Sequence, residues 1–120
     1  MKHDALVARA ADNTVDEMPW GRLVWMVSGP IGNSTTLTVG RSEIKPGQSN
    51  PRHYHANCDE VVHVLSGTIV HTMDDEEYEM TAGDTLSIPA GVVHNARNIG
   101  DEPAVLTLTF SSAYREVAAE

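Results

Sequence analysis

Polar and apolar residues alternate in short stretches along most of the chain, and glycine and proline separate these stretches. In the segment from residue 35 to 45, charged side chains alternate with uncharged ones at Arg41, Glu43 and Lys45. Pro46-Gly47 ends the segment. Successive side chains of a β-strand point to opposite faces, so this pattern predicts a strand with one exposed face. Helical periodicity is nearly absent, apart from candidate turns near the N-terminus and over residues 112–120.

Six further strands are predicted from the same patterning, with turn-forming residues between them. They are Glu60–Leu65, Thr68–Met73, Tyr78–Thr81, Thr85–Ile88, His94–Asn98 and Ala104–Ser111. In the last of them, the larger apolar side chains of Leu106, Leu108 and Phe110 share one face, which we expect to line the interior. Many short strands without intervening helices predict an all-β sandwich or a small closed barrel.

The segment before the first clear strand is less regular. Trp20, Trp25 and Met26 stand there among glycines and prolines. These side chains could seal one end of the barrel, contact a partner subunit or line the mouth of a pocket. We expect residues 1–34 to form an N-terminal extension with the first strands, packing on the barrel or on a partner. Residues 35–111 are expected to form the barrel, and residues 112–120 a C-terminal tail.

Length, charge and cysteine content exclude several classes of protein. A chain of 120 residues is the size of one domain, and no stretch approaches the roughly 18 apolar residues of a membrane-spanning helix. The formal net charge of −9 disfavours binding to nucleic acid or to anionic membranes. The apolar run at the N-terminus is too short for a signal peptide, and the single cysteine, Cys58, agrees with a reducing compartment. We therefore expect a cytoplasmic protein.

Histidines are concentrated in the middle of the chain, where five of the six lie between His53 and His94. His53 and His55 are two residues apart, so on a strand both imidazoles project from the same face. A short loop follows, and Glu60 then opens the next strand, from which its carboxylate can reach the same point. Imidazole and carboxylate ligands together suit a divalent transition metal ion: Fe, Mn, Ni, Zn or Cu.

Two motifs surround these residues. Gly47 to Gly67 reads G-x5-H-x-H-x4-E-x6-G, and Gly83 to Asn98 reads G-x5-P-x-G-x2-H-x3-N. Together they resemble the two motifs of the cupin superfamily at every defined position. The resemblance implies a small antiparallel β-barrel of the double-stranded β-helix, or jelly-roll, type. It also implies that one divalent metal ion is bound by four side chains, those of His53, His55, Glu60 and His94.

His71 is a second candidate for chemistry, because the register of cupin strands places it on the inner face. A histidine of near-neutral pKa can move a proton on a metal-bound substrate, so His71 is a candidate general acid/base. Alternatively, His71 is a buried histidine held by a neighbour, or one that stands at the barrel rim. Glu60 is a candidate acid/base as well as a ligand. His63 is expected to point to the opposite face, and Cys58 to lie outside the metal shell.

The expected function follows from the open positions on such an ion. Four protein ligands leave about two positions of an octahedral shell free for substrate. The resemblance therefore favours a metalloenzyme acting on a small oxygen-bearing metabolite, namely a keto or hydroxy acid, a diketone or a sugar derivative. Oxygenation and metal-assisted isomerisation or lyase chemistry both remain open. The alternative is a non-catalytic module that binds a small molecule or a metal.

The expected partners are few. Small cupins commonly dimerise, so the resemblance implies a homodimer, with Trp20–Met26 as the candidate contact. No cluster of arginines marks a site for a phosphate or a dicarboxylate. Arg52 and Arg97 flank ligand histidines, but by alternation they point away from the metal.

Overall fold

The computed structural model describes all 120 residues of the chain. Eleven strands form two antiparallel sheets, and two single-turn 3-10 helices, Asp4–Leu6 and Ala10–Asp12, precede them. The strands are β1 (Thr14–Met18), β2 (Gly21–Val27), β3 (Thr38–Ile44), β4 (His53–Tyr54), β5 (Glu60–Ser66), β6 (Thr68–Met73), β7 (Glu76–Thr81), β8 (Thr85–Ile88), β9 (His94–Asn98), β10 (Ala104–Phe110) and β11 (Ala118–Ala119). Neither helix is long or apolar enough to cross a membrane.

The strand order confirms the predicted all-β jelly-roll class. One sheet has six strands in the order β1-β2-β3-β10-β5-β8, and the other has five in the order β11-β4-β9-β6-β7. Every neighbouring pair of strands is antiparallel. Backbone hydrogen bonds do not join the two sheets into a continuous cylinder, so the predicted barrel is a sandwich of two sheets.

Some boundaries differ from the predicted ones for local reasons. Strand β3 begins only at Thr38, because the Ser34 hydroxyl accepts hydrogen bonds from the backbone N–H groups two and three residues later (3.2 and 3.0 Å). Strand β7 begins earlier, at Glu76, because the hairpin turn takes only two residues and Asp74 adopts a left-handed conformation (φ 51°). Residues 112–120 contain no helix; instead β11 pairs with β4.

The core lies between the two sheets, and alternation builds it. In β3 and β10 every second residue is buried, and the predicted inward set of Leu106, Leu108 and Phe110 is confirmed. Val64 of β5 and Ile69 of β6 are fully buried in the same cluster. Complete burial of one such side chain stabilises the fold by about 1.5–3 kcal/mol. Burial between the sheets therefore holds the strands that carry the histidines.

The two tryptophans are buried in the chain's own interior. Trp20 and Trp25 belong to the core cluster, and the Trp25 ring lies 6.1 Å from the Phe110 ring. Gly40 permits this packing, because a Cβ at that position would lie 2.5 Å from the indole. The Trp25 Nε1–H donates a hydrogen bond to Asp16 (3.1 Å). Two of the three interpretations of these aromatic residues, sealing the interior and lining a pocket, therefore agree with the structure.

Asn98, the last residue of β9, joins the end of β3 to the loop that follows β9. Its amide nitrogen donates hydrogen bonds to the backbone carbonyls of Ile44 (2.8 Å) and Glu102 (2.7 Å), and its side-chain oxygen accepts one from the Gly100 N–H (2.9 Å). The residue is 1% exposed, so water cannot replace these bonds. This asparagine therefore connects the strand that carries His94 to the neighbouring sheet.

We expect Asn98→Ala to lower the free energy of unfolding by about 2–4 kcal/mol, because it leaves buried backbone groups without their partners. Urea denaturation measures this change. Asn13→Ala is the matched control, since the Asn13 side chain makes no hydrogen bond, and its effect should stay within about 0.5 kcal/mol. A loss below about 1 kcal/mol for Asn98→Ala would contradict the assigned role.

Candidate metal centre

The four predicted ligands lie together between the sheets. His53 is in β4 and directly faces His94, the first residue of β9. His55 follows β4, and Glu60 opens β5 in the other sheet. One ligand-type atom from each side chain lies within 4.8 Å of those of the other three, and all but His53 are buried. We call this group the four-residue cluster.

Backbone carbonyls orient all three imidazoles of the cluster. The Nδ1 atoms of His53, His55 and His94 lie 2.7, 2.8 and 2.9 Å from the carbonyl oxygens of Pro51, Glu116 and Val92, respectively. A carbonyl oxygen can only accept a hydrogen bond, so each Nδ1 carries a proton and donates. In a neutral ring the lone pair is then on Nε2. Metal-binding histidines are oriented by this kind of outer hydrogen bond.

The carboxylate of Glu60 meets these lone pairs. Its Oε1 lies 2.9 Å from His94 Nε2 and 3.3 Å from His55 Nε2. The His55 contact is close but lacks hydrogen-bond geometry, and this fully buried nitrogen has no hydrogen-bond partner. Lone pairs that face one another in a buried site require a cation between them, either a proton or a metal ion.

The dimensions of the cluster suit a metal ion. Ligand bonds of about 2.0–2.2 Å place opposite ligands roughly 4.2 Å apart, close to the span of the four-residue cluster. Three imidazoles and one carboxylate form the donor set of a divalent transition metal, as predicted. We propose that the side chains of His53, His55, Glu60 and His94 bind this ion.

The electrostatics of the cluster favour a bound cation. Burial acts to raise the pKa of Glu60, but the neighbouring His55 and His94 outweigh burial and lower this pKa to about 2. The carboxylate is therefore charged throughout the physiological range. Burial lowers the pKa of His53 to about 4, so its imidazole is neutral and free to act as a ligand. Burial also acts to lower the pKa of His94, but the Glu60 carboxylate outweighs it and raises that pKa.

His71 lies beside the cluster without belonging to it. The residue is 2% exposed, and its ring stacks against that of His94 with 5.7 Å between centroids. Its Nδ1 donates to the Thr72 carbonyl (3.0 Å), which leaves a lone pair on Nε2. Burial lowers the pKa of His71 to about 4, so the ring is neutral at pH 7. The structure thus places a neutral, hydrogen-bond-oriented imidazole next to the proposed ligands.

The cluster opens into a cavity of about 390 Å³. Most of its walls are apolar and come from the six-stranded sheet. They include Trp20, Leu23, Trp25, Ile44, Val62, Leu106, Leu108 and Phe110. A small organic molecule with a largely apolar body fits such a lining, and the polar lining residues include the four-residue cluster, His71 and Arg115.

The other sequence candidates lie outside the cluster. His63 points to the opposite face, as predicted, and its ring bonds the Thr85 hydroxyl (2.7 Å). Cys58 is buried but supplies no atom to the cluster. Arg52 forms a salt bridge with Glu120 (2.8 Å). The side chain of Arg97 is exposed.

Residues 112–120, which we call the C-terminal strap, complete the site in a way that the sequence did not indicate. The Glu116 carbonyl is the acceptor that orients His55, and Asn57 fastens the strap by bonding Tyr114 and Glu116 (both 2.9 Å). Arg115 lines the cavity, with its guanidinium carbon 4.2 Å from the centroid of the Trp25 ring. The sequence pattern did not single out Arg115 as a cavity residue, and Arg52, which was expected to point away from the metal, also lines the cavity. The only feature of the sequence that marks Arg115 is its positive charge, since the other residues of the strap are uncharged or acidic.

A protein-family model described as "Cupin domain" matches residues 40–110. The chain belongs to the cupin family. The matched range contains both motifs and all four residues of the cluster, so the family expectation and the geometry refer to the same site.

Relatives of this cupin are diverse. Polyketide synthase CurC of Streptomyces cyaneus is 32% identical over 78 residues, which cover 65% of this chain and 51% of that protein. Germin-like protein subfamily 2 member 1 of Arabidopsis thaliana is 32% identical over 111 residues, covering 84% of this chain and 48% of that one. The chain thus spans about half the length of these relatives.

Solved structures agree on the fold. A structure of the Bacillus subtilis oxalate decarboxylase, a protein with Mn(II) centres, superimposes with a TM-score of 0.85. Sequence identity is 24%, and the match covers 92% of this chain and 31% of that one. At this identity the likeness concerns the fold alone.

We expect protein purified without chelator to contain about one transition metal ion per chain. His94→Ala should lower the metal affinity by more than about a hundredfold, because it removes a ligand and the charge partner of Glu60. Elemental analysis and competition with a fluorescent chelator measure these quantities. His63→Ala is the matched control and should leave the affinity unchanged. Wild-type affinity in His94→Ala would remove this histidine from the ligand set.

Proposed function

We propose that this cupin is a metal-dependent enzyme that moves a proton next to a carbonyl or hydroxyl group of a small metabolite. The observation that supports the proposal best is the position of His71. A neutral imidazole, oriented by the Thr72 carbonyl and packed on His94, faces the cavity into which the proposed ligands open. A binding module has no need of an oriented base at this place.

The roles of the residues follow from their chemistry. A divalent ion in this site supplies Lewis-acid polarisation of a substrate oxygen. The Nε2 lone pair of His71 accepts the proton from the adjacent carbon, and the imidazolium returns it to another atom of the substrate. Glu60 is fully charged and serves as a ligand, so we assign the proton transfer to His71. The apolar walls exclude water and strengthen the electrostatic interactions between these groups.

The relatives and the cavity together support a substrate class. CurC is named as a polyketide synthase, and polyketide chains carry carbonyl groups at alternate carbons. A β-diketone or a related keto compound binds an ion through two oxygens and exposes an acidic C–H between them. Such a compound also suits a mainly apolar cavity of this volume. Proton removal of this kind precedes both oxygenation and isomerisation, so both outcomes remain compatible with the proposal.

The assembly and location of the protein are further parts of the proposal. We propose a cytoplasmic homodimer in which residues 1–34 contribute to the contact. In support, β1 is the edge strand of its sheet, and the apolar Val15 on it is 44% exposed. The tryptophans of the predicted contact are buried within the chain, so the outer face of β1 is the better surface.

We expect the zinc-loaded protein to catalyse exchange of the central C–H of benzoylacetone with D2O. Polarisation of the two carbonyl groups makes this C–H more acidic, and His71 accepts its proton. Proton NMR measures this exchange with the diamagnetic ion. His71→Ala should keep the metal and lose about a hundredfold or more of the exchange rate. Oxygen uptake by the iron-loaded protein with the same compound then distinguishes oxygenation from isomerisation.

His63→Ala serves again as the control, since it removes a histidine from the opposite face of the sheet. Its exchange rate should equal that of the wild type. Tight binding of benzoylacetone with neither exchange nor oxygen uptake would contradict the enzymatic proposal. That result would indicate the non-catalytic binding module instead.

A further inference from the structure

Arg115 is placed unusually for an arginine in this chain. Its guanidinium carbon lies 4.2 Å from the centroid of the Trp25 ring and 5.3 Å from that of the Phe110 ring. The side chain lines the same cavity as the four-residue cluster. Stacking on aromatic rings uses the flat face of the guanidinium and leaves its N–H groups at the edge available.

No protein group pairs directly with this cation. Arg22 and Arg41 both pair with Glu43, and Arg52 pairs with Glu120 (all three at 3.1 Å or less). The side chain of Arg115, by contrast, makes neither a hydrogen bond nor a salt bridge. Burial lowers its pKa, but an arginine stays charged at any physiological pH.

The carboxylates near Arg115 make their direct contacts with other groups. Asp16 accepts the hydrogen bond from the Trp25 indole (3.1 Å), and Glu60 faces the histidines. A half-buried cation with free donors in an apolar cavity costs free energy unless an anion pairs with it. The donors of a guanidinium match the two oxygens of a carboxylate. The cavity therefore presents an unpaired cation with donors that suit an anionic group.

The Phe110 ring lies close to both Arg115 and the four-residue cluster and so limits the distance between them. The Phe110 ring meets the His55 ring edge-on at 5.0 Å and also lies 5.3 Å from the Arg115 guanidinium. The guanidinium carbon therefore lies at most about 10 Å from the centre of the His55 ring. A small ligand bound at the cluster can carry an anionic group as far as Arg115.

We propose that Arg115 binds a carboxylate of the substrate and thereby selects keto compounds that carry this carboxylate at the end away from their metal-binding oxygens. This inference rests on the proposed function for the identity of the metal-binding oxygens. Arg115 then acts as a specificity-determining residue. Its replacement changes which ligands are selected and leaves the binding of their oxygens at the four-residue cluster unchanged.

Two probes of the same shape test this proposal on the zinc-loaded protein. The first is benzoylacetone with a carboxylate at the 4-position of its ring, and the second carries a neutral carboxamide there. Isothermal titration calorimetry should show the carboxylate binding about ten- to a hundredfold more tightly than the carboxamide. Arg115→Gln should abolish this preference by weakening only the carboxylate. Arg97→Gln, which removes an exposed arginine from the strand of His94, should preserve it.

Equal affinity of the wild type for the two probes would overturn the proposal. An Arg115→Gln variant that weakens both probes equally would also overturn it, because that result indicates a merely structural role for the stacked side chain. Arg115→Lys keeps the charge if the glutamine variant fails to fold, and it should retain only part of the preference because lysine lacks the two-pronged donor edge.

The binding experiment tests the role of Arg115 independently of the exchange experiment, which tests the role of His71. A carboxylate preference that depends on Arg115, with no exchange at the central carbon, leaves Arg115 as an anion receptor and removes the enzymatic role. Exchange that depends on His71, with no carboxylate preference, removes the role of Arg115 alone.

Discussion

The site depends on three hydrogen bonds from histidine Nδ1 atoms to backbone carbonyls. Each bond holds an imidazole in one tautomer, and the other nitrogens of His55 and His94 lie against Glu60. Two of the acceptors lie two residues before their histidines and are therefore consequences of local backbone conformation. The third comes from Glu116, which is 61 residues away from His55 in sequence. The geometry of the site thus requires that the whole sandwich be assembled.

Much of this arrangement could be predicted from the sequence, because it follows from short-range periodicity. The i, i+2 spacing of His53 and His55 and the inward face of β10 depend only on the alternation of side chains along a strand. The motifs then added His94, which no local pattern connects to the other proposed ligands. His71 was placed inward by its register, and its burial agrees with that placement.

The C-terminal strap shows what the sequence could not predict. Strand β11 has two residues, too few to display a period, and its pairing with β4 depends on contacts between distant parts of the chain. The carbonyl of Glu116 is a backbone group, so no residue type signals its role. The position of Arg115 depends in turn on the Trp25 and Phe110 rings, which come from two other strands.

The C-terminal strap contributes both to the cavity wall and to the orientation of a histidine in the four-residue cluster. Arg115, which faces the cavity, and Glu116, whose carbonyl orients His55, are neighbours in the chain. Any event that fixes this segment in place strengthens both contacts, and any event that displaces it weakens both. The cavity wall at Arg115 and the orientation of His55 therefore depend on the position of the same short segment. Substitutions within the last nine residues can therefore reshape the cavity wall while residues 40–110, which contain both motifs, stay the same.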